Sequence, residues 1–108
     1  MSNKDKIYLV NETTIIDHSI HKEWLDCFTN ELIPGIKNSG LVSDLIFSKI
    51  KDGHNPDGQT YALQLKVKES NFLSYKNHTD INKIRNKINT DFKNKFGSFE
   101  TVLEIVID

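Results

Sequence analysis

The chain has 108 residues and a mass of 12.4 kDa, room for one small domain. Its 14 Lys and Arg against 15 Asp and Glu leave a formal charge of −1, without the basic excess of a protein that grips nucleic-acid phosphates. No stretch approaches the about 20 consecutive apolar residues of a membrane helix, and no apolar signal-peptide core follows the polar start Met1-Ser2-Asn3-Lys4-Asp5-Lys6.

The single cysteine, Cys27, can form no internal disulfide, which fits a reducing, cytoplasmic setting. No C-x-x-C, H-E-x-x-H, P-loop or G-x-G-x-x-G motif occurs, so the strong short signatures of metal, nucleotide or redox chemistry are missing.

Residues 1–5 read as a disordered end, and 6–108 as one domain. Lys6 to Ile16 is strand-like, rich in β-branched and aromatic residues and free of breakers. Asp17 or Ser19 can then cap a helix running from about His18 to Ile33. Its apolar residues Ile20, Trp24, Cys27 and Phe28 share one face, widened by Leu25 and Leu32. Pro34 should end or kink it, and Gly35 and Gly40 permit a change of direction.

Leu41 to Ile50 is the second expected strand. Lys51 to Gln59 is a loop punctuated by Gly53, Pro56 and Gly58. Thr60 to Lys68 alternates cleanly, placing Tyr61, Leu63, Leu65 and Val67 on one face of a third strand. Ser70 can cap a second helical region. Phe72 and Tyr75 lie about half a turn away from Ile81, Ile84, Ile88 and Phe92, which argues for a break near Asn77-His78-Thr79-Asp80 and a longer helix capped by Thr79 or Asp80. Gly97 is expected to end that helix, and Phe99 to Ile107 forms the last strand.

The order βαββαβ is that of the ferredoxin-like α+β fold: a four-stranded antiparallel sheet with both helical regions on one face. The first strand is apolar on both faces, with Ile7, Leu9 and Ile15 on one and Val10 and Ile16 on the other. The last repeats this, Leu103, Ile105 and Ile107 against Val102 and Val106. Strands apolar on both sides are normally covered on both, so a homodimer packed sheet against sheet is expected.

Several segments, taken together, resemble domain-of-unknown-function family 4286. They are Ile20-His21-x-x-Trp24-Leu25, Ile33-Pro34, Ser39-Gly40-Leu41, Tyr61-Ala62-Leu63-Gln64, Tyr75 and Phe96-Gly97, in that order and spread over nearly the whole chain. The resemblance implies a ferredoxin-like fold similar to dimeric α+β barrel proteins, and no assigned activity. The family pattern often has a histidine before the Ile-Pro pair. Here that position is Leu32, which removes a two-histidine metal site along this helix.

Four groups of residues are candidates for function. His21 could act as acid, base or haem ligand, or be a packed histidine. Trp24, Tyr61, Tyr75 and Phe99 could wall an aromatic cleft between helices and sheet, or simply fill the core. Asn11, Thr13, Gln64 and Lys66 are polar residues inside strands, expected on the non-helical face, where they could line a polar pocket at a dimer interface, or simply make satisfied polar contacts or be exposed near the sheet edges. Asp52, His54 and Asp57 could hold a cation but read better as a turn. His18 and His78 read as solvated, and Cys27 as an inert thiol.

The expected function is a homodimeric small-ligand or protein-binding module. It needs no cofactor and no metal, and it has no nucleic-acid or membrane partner. The residues expected to bind are Trp24, Tyr61, Tyr75, Asn11 and Gln64, with His21 as the catalytic candidate if there is chemistry. The alternative is a small dimeric-barrel enzyme, such as a cofactor-independent or haem-dependent monooxygenase.

Overall fold

Period-two alternation in two long strands decides which residues face the helices. The computed structural model describes residues 5–51 and 58–108. In chain order the elements are β1 (Ile7–Asp17), a 3-10 turn (His18–Ile20), α1 (His21–Cys27), a π-helical segment (Phe28–Leu32) and α2 (Ile33–Asn38). They continue with β2 (Asp44–Lys49), β3 (Gly58–Lys68), α3 (Glu69–Lys76), α4 (Thr79–Asp91) and β4 (Phe96–Glu104). The sheet order is β2-β3-β1-β4, every pair antiparallel, which is the ferredoxin-like arrangement.

Val10 pairs with Leu65 across β1 and β3, so Val10, Thr14 and Ile16 share a face with Tyr61, Leu63, Leu65 and Val67. All of these are buried, together with Trp24, Phe28, Leu32 and Ile36 from the first helical stretch and Tyr75, Ile81 and Ile88 from the second. One core therefore lies between the sheet and the helices. The opposite parity carries Leu9, Asn11, Thr13 and Ile15 of β1 beside Ala62, Gln64 and Lys66 of β3. Among the described residues no helix covers that face: Ile15 is 43 % exposed, Ile46 54 %, Phe99 60 % and Leu103 47 %.

Several local expectations need correction. Pro34 does not end the first helix, which runs on to Asn38. Instead the turn widens just before it, and the Ile33 N–H reaches back to the Phe28 carbonyl. A wider turn eases the clash between a proline ring and the carbonyl one turn earlier, so the chain stays helical. The true stop is Gly40, whose φ of 73° is left-handed.

Gly97 does not end α4 either: it lies inside β4, paired with Ile15, and the left-handed residue in the turn is Asn94 (φ 67°). The break between α3 and α4 falls where expected, but neither Thr79 nor Asp80 caps α4. The imidazole of His78 does, its Nδ1 accepting from the Ile81 N–H at 3.3 Å, so this histidine is half-buried and structural. Ser70 does not cap α3, which starts one residue earlier. The Ser70 N–H donates to Asp5 Oδ1 at 3.1 Å, and its hydroxyl also bonds Asp5. Finally, β4 closes at Glu104 rather than Ile107. The Ile105 N–H still bonds Ile7, but Val106 and Ile107 are exposed.

Candidate functional site

Helical spacing in α1 and alternation in β3 bring His21, Trp24, Phe28 and Tyr61 together, and Phe47 of β2 joins them. The Trp24 and Phe28 rings stack with centroids 4.4 Å apart, Phe47 stacks on Tyr61 at 5.2 Å, and His21 on Tyr61 at 5.6 Å. His21 Nε2 and the Tyr61 hydroxyl are hydrogen-bonded at 2.8 Å. Burial raises the Tyr61 pKa above the usual phenol value.

A second group was not anticipated. Alternation along β1 turns Glu12 toward the helices, and α4 carries Arg85 to meet it. Arg85 Nη1 donates to Glu12 Oε2 at 3.0 Å, and Nη2 donates to the Tyr75 hydroxyl at 3.0 Å. The two charged side chains are only 24 % and 13 % exposed, so their attraction is weakly screened. Burial alone would lower the Arg85 pKa, but the Glu12 charge and the Tyr75 hydroxyl outweigh it and the net direction is up. Burial raises the Tyr75 pKa, partly countered by Arg85.

These two groups meet at a cavity of about 120 Å³ between the sheet and the helices. Trp24, Phe28, Leu32, Ile88 and Phe96 give its apolar wall. Glu12, Arg85, Thr14, Asn89 and Ser98 give its polar one, and the exposed Asn89 and Ser98 mark the mouth. Two buried polar atoms on these lining residues lack a hydrogen-bond partner: the Trp24 indole Nε1–H and Glu12 Oε1. Glu12 Oε1 lies 2.9 Å from Arg85 Nη1, close enough for charge attraction but without a hydrogen bond. An unmade bond at a buried group costs about 1–3 kcal/mol, which makes this pair informative.

The residues singled out in the sequence therefore separate. Trp24 lines the cavity, and Tyr75 touches it through Arg85. Tyr61 and His21 bond each other beside Trp24 and are not among the lining residues. Asn11 and Gln64 are cross-strand partners on the uncovered face, where Asn11 Nδ2 donates to Thr13 Oγ1 at 3.4 Å. Phe99 does not join the aromatic cleft. Its pairing with Thr13 puts it on the uncovered face, because β4 starts at Phe96 and alternation from there turns Phe99 outward.

Asp52, His54 and Asp57 lie outside the described residues. Among the described residues, no three His, Cys, Asp or Glu side chains gather in a way that could hold a metal ion. Cys27 is half-buried, and burial, then Glu31, raises its thiol pKa. Two signals for the missed pair are visible in retrospect. Arg85 is the only arginine in the chain, and Glu12 shares the strand parity of Val10, Thr14 and Ile16.

Sheet order and helix placement define a ferredoxin-like α+β protein with a cavity between sheet and helices. A family model described as Domain of unknown function (DUF4286) matches residues 7–106, and the chain belongs to that family. None of the curated proteins matches it in sequence.

Solved structures share the fold at very low identity. A dimeric ferredoxin-like protein from an uncultured marine organism superposes with a TM-score of 0.76 at 7 % identity, over 96 % of this chain and 99 % of the other. A conserved protein of unknown function from Bacteroides thetaiotaomicron, described as a possible oxidoreductase, gives 0.71 at 5 % identity over 94 % and 100 %. A cofactor-independent oxygenase from Streptomyces nogalater gives 0.63 at 9 % identity over 97 % of each chain. Among the described residues no helix is long and apolar enough to cross a membrane.

Proposed function

We propose that this chain is a homodimeric binding domain that takes a small molecule into the cavity between its sheet and helices. The observation that carries the reading is the cavity's wall. A largely buried, ion-paired Glu12–Arg85 couple and Trp24 border one cavity with an open mouth, where an apolar wall of Phe28, Leu32, Ile88 and Phe96 faces a polar one. A concavity that sets fixed polar groups against an apolar wall suits a small molecule with both kinds of surface.

The dimer reading is supported by the uncovered sheet face, where Ile15, Ile46, Phe99 and Leu103 are exposed, and by similar folds described as dimeric. In such a dimer Asn11 and Gln64 belong to the interface rather than to the cavity. A small oxygenase has less support. His21, its acid/base candidate, is bonded to Tyr61 and lies outside the cavity's lining.

Trp24 is the only tryptophan, so its emission reports on the site directly. A fragment screen read by that emission should yield ligands whose effect is lost in Arg85→Met. Hits indifferent to that change, or none at all, would contradict a site in this cavity.

A further inference from the structure

Residues 105–108, which follow β4, are tied to the sheet at both ends. The Ile105 N–H donates to the Ile7 carbonyl of β1 at 2.9 Å, and Lys66 Nζ of β3 donates to Asp108 Oδ1 at 3.0 Å. Between these anchors Val106 is 85 % and Ile107 91 % exposed, the most open large apolar side chains among the described residues. An anchored segment thus holds two apolar side chains out to solvent.

The second anchor matters because of where Lys66 sits. Across β3, β1 and β4 the outward rows from Leu9 to Ile15 hold one charged residue, Lys66. A lone ammonium there would oppose burial of the face, and the Asp108 carboxylate neutralises it. Beside Lys66 the face dips into a shallow, mostly apolar hollow whose lining includes Leu9, Leu45, Ile46 and Gln64. The four strands, of 6 to 11 residues, give a face of about 20 by 30 Å in plan, on the order of 600 Å², near the about 800 Å² that one partner buries in a stable interface. Segment and hollow adjoin Lys66 on one side of the molecule, so a two-fold axis between them lets each copy fill the other.

We infer that residues 105–108 are an interface element of the sheet-to-sheet dimer. Asp108 neutralises Lys66 within its own chain, and Val106 and Ile107 pack into the hollow of a second copy. The inference rests on the dimer reading and adds to it the segment that the second copy contributes.

Sedimentation velocity of the full chain over a concentration series gives the dissociation constant of the dimer. Val106→Ser with Ile107→Ser should raise it about tenfold or more, because the apolar contact is lost. Ile46→Ser should act likewise and add little on top of that pair. Asp108→Asn should raise it by leaving Lys66 unpaired in the interface, and adding Lys66→Met should restore association. None of these side chains is buried in the single chain, so its circular dichroism should stay unchanged.

A dimer that Phe99→Glu with Leu103→Glu weakens, but that is indifferent to the changes at 106–108, would overturn the inference and leave the dimer reading standing. Fully additive losses at Ile46 and Ile107, or no rescue by Lys66→Met, would also overturn it. A single-chain species at every concentration would overturn both and give the face to a different partner.

Discussion

Glu12 and Arg85 lie 73 residues apart in sequence, yet their side chains meet at 3.0 Å on the wall of one cavity. The contact ties the central strand β1 to α4 and hands a second guanidinium nitrogen to Tyr75. Removing one member leaves the other buried and uncompensated. Arg85→Leu should therefore cost about 3 kcal/mol of folding stability. The double variant Glu12→Leu with Arg85→Leu should cost clearly less than the two single changes added together. Urea denaturation of the three variants checks this, and simple additivity would show that the pair is not coupled.

The uncovered sheet face makes a separable claim. Phe99 and Leu103 lie on the outward parity of β4 and are exposed in a single chain, so changing them should barely affect its folding. In a sheet-to-sheet dimer they would be buried. Replacing both by Glu should weaken self-association by about a hundredfold or more. Sedimentation velocity over a concentration series reads the result directly, and an unchanged profile would locate the interface elsewhere.

All three tyrosines have raised pKa values, for different reasons. A hydrogen bond to Glu69 leads for Tyr8, and burial leads for Tyr61 and Tyr75. The neutral phenol is the protonated form, so the folded state holds these protons more tightly than the unfolded chain. Their contribution to stability is complete below the unfolded value of about 10 and is lost as pH rises above it. Ultraviolet titration should show the native tyrosines ionising at higher pH than the denatured ones, with stability falling over the same alkaline range. Coincident native and denatured curves would contradict these environments.

Gly58 begins β3 opposite Asp17, and a Cβ there would sit 2.2 Å from the Ile16 carbonyl oxygen. That neighbour is backbone and cannot swing aside. Gly58→Ala should destabilise the protein by about 1–3 kcal/mol, seen as a lower melting temperature. An unaltered melting temperature would mean that the strand end shifts freely.

Much of the fold is legible in the residues themselves. The alternation of Tyr61, Leu63, Leu65 and Val67 identifies the core face of β3, and the two out-of-phase apolar stripes around Asn77 give away the break between α3 and α4. Local chemistry misleads where two solutions exist for one problem. Pro34 stops a regular helix, but a widened turn also accommodates it. Gly97 can end a helix, yet Asn94 takes the left-handed position and leaves Gly97 to β4. That change moves the start of β4 back to Phe96 and turns Phe99 outward.

The site was half legible. Trp24 declares itself by type and helical position. Glu12 and Arg85 do not, because their encounter depends on the packing of α4 over β1, which no local spacing encodes. A lone arginine in an amphipathic helix and a carboxylate on the inward parity of a strand were the only traces.

Native mass spectrometry of the gently purified protein, set against its denatured mass, addresses the ligand-binding dimer most directly. The account predicts a species of twice the 12.4 kDa chain mass carrying a small added mass that disappears on denaturation. A single-chain species without added mass would contradict it.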